Sequence, residues 1–237
     1  MNPYETCVSN RIVNGKQHTV AWHVYYLKSS RVDPKVNDDF QKWLDKTHGS
    51  DDIGHVEASR RKVHDYLAMT LDYTEEVKLK IDMRKYLDTM IAEFPHTLSD
   101  TVKCPWTDKM FKLDKEENNL RDEKRTIFHS FLIKEMFLTK RGRADVQPAI
   151  SFLASRVKKP TTQYWMKLLR VISYLKCTRD NWLTLEEDNE QTLYWYVDVD
   201  FAVHADMKSH TGSVFSLGKG MIVADSTKQK VNAINLT

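Results

Sequence analysis

Two aspartates in a strand-like run have the residue type and spacing best suited to chemistry. Asp198 and Asp200 lie in residues 194–201, which are rich in β-branched and aromatic residues. Side chains two apart on a strand point to the same face, so both carboxylates would share one surface. Carboxylates grouped on a sheet are the usual magnesium ligands of phosphoryl-transfer enzymes. The alternative is a strand-end pair that accepts hydrogen bonds from loop amides.

The other chemically capable side chains fit structural roles better. Asp51 and Asp52 follow Gly49-Ser50 in a predicted turn, where carboxylates usually cap backbone amides. The spacing of the histidines matches no metal site and favours hydrogen-bonded or exposed roles for His23, His55, His64, His129, His204 and His210. The three cysteines, Cys7, Cys104 and Cys177, are far apart, which favours reduced thiols in an intracellular protein over a disulfide framework.

Runs of lysine and arginine are the candidate contacts for phosphate. They occupy residues 60–62, 140–143 and 158–159, and most such runs are solvated faces. The second run is the densest, and a basic cluster of this kind can bind a nucleic-acid backbone. The candidate nucleic-acid-binding residues are therefore Arg141, Arg143, Lys158 and Lys159. The formal net charge of +3 permits such a role without requiring it.

The elements that must position these groups mix strands and helices. Strands are predicted over 8–13 and 17–27, joined by Asn14-Gly15, the strongest short hairpin signal. Asp33-Pro34 predicts the start of a helix that His48-Gly49 ends. A strand over 62–73 and another over 78–81 then precede a helix over 82–94.

The second half predicts three helices followed by strands. A polar connection over 96–123, anchored by Cys104-Pro105-Trp106, precedes helices over 124–140, 144–157 and 161–176. The period then changes to two, which predicts strands over 183–185, 193–201, 212–217 and 221–224. The fold class is therefore α+β.

Composition excludes several classes of protein. The 237 residues are 41% hydrophobic and 29% charged, which is typical of a globular chain and argues against disorder. No run approaches the ~20 apolar residues of a membrane-spanning helix, and the N-terminus has no secretory signal pattern. Only 7 glycines occur, so a glycine-built phosphate cradle is not expected.

Several short motifs, in a single order along the chain, resemble the polymerase region of copia-type LTR retrotransposons. That region contains a reverse transcriptase followed by an RNase H. The motifs are WHVYYLK at 22–28, HDYLAM at 64–69, the helical region 136–153, RVISYLKCT at 170–178, YVDVDFA at 196–202, KSHTG at 208–212 and STKQK at 226–230. Each motif is weak singly, and their shared order carries the resemblance.

The resemblance implies a division of the chain and a set of partners. It implies a partial palm sheet with helices over 1–95, a linker with a helical thumb or connection over 96–180, and an incomplete RNase H-like sheet over 181–237. The intact family uses Mg²⁺ and binds an RNA/DNA duplex. No cofactor is expected in this fragment, no membrane is implied, and the remainder of a longer polyprotein would be a partner.

Departures from the family pattern predict that catalysis is lost. Tyr25 and Tyr26 stand where the palm hairpin has two catalytic aspartates, and a neutral phenol cannot replace a carboxylate on magnesium at pH 7. The third palm carboxylate is expected upstream of this chain. Asp198 matches the first catalytic and metal-binding aspartate of RNase H, but the expected Glu after Lys230 has no counterpart. Ala68 and Cys177 also replace family glycines.

Two other interpretations stay open. A host-retained, non-enzymatic module would use Trp22, Tyr25 and Tyr26 as an aromatic surface for bases or for a protein. A gene-prediction artefact would make the chain one piece of a longer element. Truncation of the sheets also predicts unprotected edges near 221–224 and 8–13, with low solubility.

Overall fold

A computed structural model of the chain describes residues 4–24, 26–52, 54–112, 118–188 and 192–231. These residues form five α-helices and three antiparallel sheets, which confirms the α+β class. The chain divides into two compact units, Met1–Leu67 and Ala68–Thr237.

The first unit begins with the predicted hairpin. Strand β1 (Val8–Val13) pairs antiparallel with β2 (Lys16–His23) through the Asn14-Gly15 turn, whose residues both have positive φ. The predicted strand over 17–27 is wrong in its extent. Val24 has a φ of 50°, the chain reverses there, and β3 (Tyr26–Ser30) pairs back onto β2. A β-branched residue rarely adopts positive φ, so residue type gave no signal of this reversal.

One helix completes most of this unit. Helix α1 (Pro34–His48) begins as predicted, with the Asp33 carboxylate accepting a hydrogen bond from the Lys35 amide, and Gly49 follows its end. It packs on the sheet through a 2.8 Å hydrogen bond from Ser29 Oγ to Asn37 Oδ1. The rings of His18 and Phe40 also meet edge to face.

The single strand predicted over 62–73 is divided into two strands in the structure. β4 (Val63–Tyr66) belongs to the first unit and β5 (Met69–Asp72) to the second. Leu67 and Ala68 between them have φ values of 49° and 61°, in the left-handed region that glycine favours. The predicted strand over 62–73 is therefore wrong in its continuity, because two residues without glycine's freedom reverse the backbone.

The second unit contains two sheets. Its other strands are β6 (Lys78–Asp82), β7 (Leu183–Glu187), β8 (Tyr194–Asp200), β9 (His210–Ser216), β10 (Gly218–Lys219) and β11 (Val223–Lys228). One sheet has the order β10-β7-β6-β5 in this unit, and the other has the order β11-β9-β8. The strand predicted over 221–224 begins later, at Val223, and runs on to Lys228.

Four helices build the core of this unit. They are α2 (Arg84–Glu93), α3 (Asp122–Thr139), α4 (Gln147–Ala154) after a 3₁₀ turn at Ala144–Val146, and α5 (Thr162–Cys177). Their apolar stripes meet in a buried cluster that includes Phe128, Leu132, Leu138, Ile150, Leu153, Leu168, Ile172 and Leu175. Leu98 and Met110 of the connection over 96–123 are also buried in this cluster. The prediction that Cys104-Pro105-Trp106 is the only apolar anchor of this connection is therefore wrong.

Candidate functional site

The sheet β11-β9-β8 forms one wall of an open cleft of about 590 Å³. The strand register aligns Asp198 with Gly212 and Gly212 with Ser226, so these three residues form a row across the sheet. The start of α4 and the connection over 96–123 also line the cleft, through Gln147 and Trp106 respectively. The other lining side chains include the apolar residues Met110, Phe111, Pro148 and Met221.

Four aspartates line this cleft, and two of them are already paired. Asp145 accepts hydrogen bonds from Arg143 and from the Tyr174 hydroxyl, and Asp225 pairs with Lys140. Asp198 and Asp200 take part in none of the ion pairs found among the described residues. Asp198 Oδ1 accepts a 2.9 Å hydrogen bond from the Val199 amide. Both side chains are exposed, so water solvates their charge.

The described residues do not fit a magnesium centre. They contain no group of three or more His, Cys, Asp or Glu side chains arranged to hold a metal ion. Magnesium requires nearly octahedral coordination, and phosphoryl-transfer sites anchor it with clustered carboxylates. Within the described ranges, Asp198 therefore has no set of companion ligands of the kind that a magnesium site requires.

The candidate phosphate-binding arginines are engaged with the protein. Arg143 is buried, and its guanidinium donates to both Asp145 oxygens and to the Thr178 carbonyl and hydroxyl. Arg141 is half-buried over the Phe137 ring, 3.6 Å from its centroid, and burial lowers the pKa of Arg141. The two arginines thus order the turn between α3 and α4.

The candidate lysines are placed differently. Lys158 and Lys159 lie in the turn between α4 and α5, and both are exposed. Neither side chain joins an ion pair among the residues that the structure describes. These two ammonium groups are therefore free to meet a phosphate.

Tyr25 and Tyr26, which the resemblance aligns with the palm aspartates, belong to the sequence range of the first unit. Tyr25 lies outside the described residues. Tyr26 begins β3, is 51% exposed, and meets Tyr66 edge to face at 6.1 Å between ring centroids. Trp22 pairs with Leu27 in the same hairpin and is half-buried. The phenol of Tyr26 is thus an exposed aromatic group on the hairpin.

A buried polar cluster escaped the sequence analysis. His204 Nε2 lies 3.0 Å from His210 Nδ1, and His210 Nε2 lies 2.6 Å from Ser226 Oγ. The three residues are 3%, 7% and 5% exposed, against the rings of Phe111 and Phe152. The prediction that these histidines are hydrogen-bonded holds, but nothing in their spacing indicated that they bond to each other.

Burial also determines the charge of this cluster. It lowers the pKa of His204 to about 4, with a further contribution from His210, Lys228 and Arg156. It lowers the pKa of His210 as well, against an opposing effect of Asp200. Both rings are therefore neutral at pH 7 and can act as proton acceptors.

Two further sequence predictions concern thiols and membranes. Cys7, Cys104 and Cys177 are all free thiols, as the odd count and wide spacing predicted. Among the described residues, no helix combines the length and apolarity that crossing a bilayer requires.

Comparison with known proteins finds distant similarity to transposon proteins. The chain is 21% identical over 210 residues to a transposon Ty5-1 protein of Saccharomyces cerevisiae, which covers 89% of this chain and 65% of that protein. It is 35% identical over 89 residues to the Retrovirus-related Pol polyprotein from transposon RE2 of Arabidopsis thaliana, covering 37% of this chain and 6% of that polyprotein.

The chain thus spans just under two thirds of the first relative and a small part of the second. No family model matches it. No solved structure matches it significantly.

Proposed function

We propose that the chain is a region of a copia-type Pol polyprotein that no longer catalyses polymerisation or RNA cleavage and that contacts nucleic acid through Lys158 and Lys159. In this proposal residues 1–95 derive from the palm, 96–180 from the linker and thumb or connection, and 181–237 from the start of RNase H. The similarity to a Pol polyprotein supports the origin. The remainder of the polyprotein would be its partner.

The observation that carries the loss of catalysis is that the aspartates around Asp198 form no metal-holding group among the described residues. Two-metal phosphoryl chemistry needs several carboxylates around one point, and the described residues contain no such group. Tyr25 and Tyr26 would replace the two catalytic aspartates of the palm, and a phenol cannot take over their charge because it stays neutral at pH 7.

Two assays test the catalytic part of this proposal. The purified chain is incubated with a template–primer and nucleotides, and separately with a labelled RNA/DNA hybrid, each in Mg²⁺ or Mn²⁺. We expect no extension and no cleavage above a reaction without protein. Extension or cleavage that rises with protein concentration would contradict the proposal.

The exposed lysine pair supports the nucleic-acid contact. Lys158 and Lys159 are adjacent in a turn, so both ammonium groups can reach neighbouring phosphates of one backbone. Asp145 already balances Arg143, and Arg141 stacks on Phe137, so the lysines carry the available charge. Binding of this kind is weak, independent of base sequence and sensitive to salt.

A salt titration tests this contact. The affinity for a short duplex is measured against salt concentration for the wild type and for Lys158→Ala/Lys159→Ala. The slope of log K against log salt should fall by about 1.8, since each lost phosphate contact removes ~0.9.

The matched control is Lys103→Ala/Lys109→Ala, which removes the same charge from two exposed lysines of the same unit. Its slope should stay close to the wild-type value. An equal loss in both variants would mean that net charge alone determines binding, and the proposed contact would be abandoned.

The exposed aromatic hairpin supports a second candidate function. Tyr26 is exposed and Trp22 is half-buried in one sheet, and such rings can stack bases or dock a protein. A host-retained module of this kind should unfold cooperatively, whereas a decayed fragment should bind hydrophobic dyes and aggregate. Tyr26→Ala would weaken single-strand binding in this case, and an unchanged affinity would exclude the hairpin.

A further inference from the structure

The buried polar cluster of His204, His210 and Ser226 has the geometry of a nucleophile, its base and a group that orients the base. The two contacts measure 2.6 Å from Ser226 Oγ to His210 Nε2 and 3.0 Å from His210 Nδ1 to His204 Nε2. A hydroxyl within hydrogen-bond reach of a base that a third group orients is the arrangement of activated nucleophiles. In the active tautomer, Ser226 donates to His210, which donates to His204.

This buried polar cluster also borders two clefts that a small molecule can occupy. Ser226 and His210 line the cleft of about 590 Å³ and a second cleft of about 320 Å³, and Gln147 lines both. The Gln147 side chain is 5% exposed, and its Oε1 has no hydrogen-bond partner among the described residues. This unpaired buried oxygen is an acceptor that a hydrogen-bond donor of a molecule bound in the cleft could satisfy.

We propose that Ser226 and His210, positioned by His204, accept an acyl group from small uncharged esters bound in this cleft. No metal or nucleic acid takes part, so this activity is separate from the proposed function. The apolar walls at Phe111 and Met110 suit an uncharged acyl group. Exposed Asp198 and Asp200 on the same cleft repel anionic esters.

The reaction balances without an oxidant or a cofactor. Ser226 Oγ attacks the ester carbonyl while its proton passes to His210 Nε2. The bond from the carbonyl carbon to the alcohol oxygen then breaks, and the proton passes from His210 to the departing alcohol. Water repeats the same steps on acyl-Ser226 and releases the acid.

Charge around the histidines favours the base role and limits its strength. Burial, with smaller contributions from His210, Lys228 and Arg156, lowers the pKa of His204, whereas Asp206 opposes them and Asp200 faces His210. Since burial lowers the pKa of His210, its neutral form predominates at pH 7. His204 Nδ1 has no partner among the described residues, so no carboxylate supports the relay. We therefore expect slow turnover and use covalent labelling as the main measurement.

The first experiment labels the intact chain with a fluorophosphonate. Such a probe loses fluoride as Ser226 Oγ bonds to phosphorus, and peptide mass spectrometry locates the adduct. We expect one adduct, on Ser226, formed about 100-fold faster than on the same chain unfolded in urea. No adduct, an adduct on another serine, or an equal rate in urea would overturn the proposal.

Variants separate the roles of the three residues. Ser226→Ala should abolish labelling, and His210→Ala should slow it about 100-fold. Ser213→Ala is the matched control. Ser213 lies on the neighbouring strand β9, next to Gly212, which is the residue that pairs with Ser226. Its labelling should equal that of the wild type. Circular dichroism of each variant identifies a loss of fold, and the wild-type adduct site decides the question if Ser226→Ala does not fold.

The pH profile tests the positioning role of His204. Wild-type labelling should rise through the pKa of His210, which burial lowers from its ordinary value, and then level off. His204→Gln keeps a hydrogen-bonding group but cannot match the ring, so it should lower the plateau about 10-fold and move the midpoint. An unchanged plateau and midpoint would remove His204 from the relay. Nucleic-acid affinity of these variants should not change, which distinguishes this outcome from failure of the lysine contact.

Discussion

At the scale of single residues, contact with water or with a hydrogen-bond partner determines how a carboxylate affects the protein. The charges of Asp198 and Asp200 cost little free energy in an apolar strand, because both side chains are exposed to water. Glu135 is the opposite case, since it is 0% exposed in α3 and neither of its carboxyl oxygens has a hydrogen-bond partner in the described chain. Desolvation raises the pKa of Glu135 well above its ordinary value.

Replacement of Glu135 should stabilise the protein in a pH-dependent way. The folded state holds the Glu135 proton more tightly than the unfolded state, so wild-type stability falls as pH rises above the unfolded pKa through the folded one. Glu135→Leu removes this loss. Its free energy of unfolding in urea should exceed that of the wild type by about 2 kcal/mol at neutral pH and by less near pH ~5.

Glu123→Leu is the control for this prediction. Glu123 is exposed in the first turn of the same helix, so its removal should change stability little at either pH. A gain from Glu135→Leu that does not change with pH would mean that ionisation of the buried carboxyl is not the cause.

At the scale of elements, turns decide where strands begin and end. Asn14-Gly15 reverses the chain with residues that favour positive φ, whereas Val24, Leu67 and Ala68 do so with residues that do not. Where the resembling family has glycine, this chain has Ala68 with a φ of 61°. The backbone there carries strain that a glycine would not.

Ala68→Gly should therefore raise the stability of the protein. Relief of the left-handed strain at an alanine is worth about 1–2 kcal/mol, and the greater entropy of unfolded glycine offsets about half of it. We expect a net gain of about 0.5–1 kcal/mol in thermal or urea unfolding. Ala92→Gly, in the exposed face of α2, is the control and should destabilise by about 1 kcal/mol. Equal losses in both variants would refute the strain at Ala68.

The strand order bears on the prediction of exposed edges. β1 and β11 are the outer strands of their sheets in the first and second unit, which confirms their edge positions. Strand β8 of the sheet β11-β9-β8 also carries exposed apolar side chains, with Trp195 66% and Val197 59% exposed. Low solubility remains a prediction, and these features are its physical basis.

At the scale of the whole molecule, the two units differ in how much apolar surface they bury. All buried apolar side chains found in the described residues belong to the second unit. The described part of the first unit has one buried side chain, His18, whose pKa burial lowers. Burial of apolar area is the main favourable contribution to folding, so the second unit holds most of the stability.

Hydrogen exchange should separate the two units. Amides of β1, β2 and β3 should exchange much faster than those of α5, because local opening of the first unit exposes little buried surface. Limited proteolysis should accordingly cut within residues 1–67 before it cuts α3 or α5. Equal protection of β2 and α5 would contradict this account of where the stability lies.

The part of the structure that could be predicted from the sequence is the local part. Asp33-Pro34 starts α1, and the three apolar stripes of the second unit form α3, α4 and α5 within a few residues of their predicted limits. Caps, hairpin turns and helical periodicity act between residues close in the chain, so the sequence alone determines them. The reversal at Val24 could not be predicted, because pairing with β2 overrides the preference of the residue.

Only the tertiary structure decided which polar groups meet. Pairing of β9 with β11 brings His210 and Ser226 into contact, and the turn before β9 adds His204. Glu135 of α3 is buried without a partner in the described chain, and Arg143 turns inward to Asp145 and Thr178 while Lys158 and Lys159 stay in water. These outcomes depend on the distance and desolvation of residues far apart in sequence. Residue type and spacing determined the elements, and long-range packing determined their chemistry.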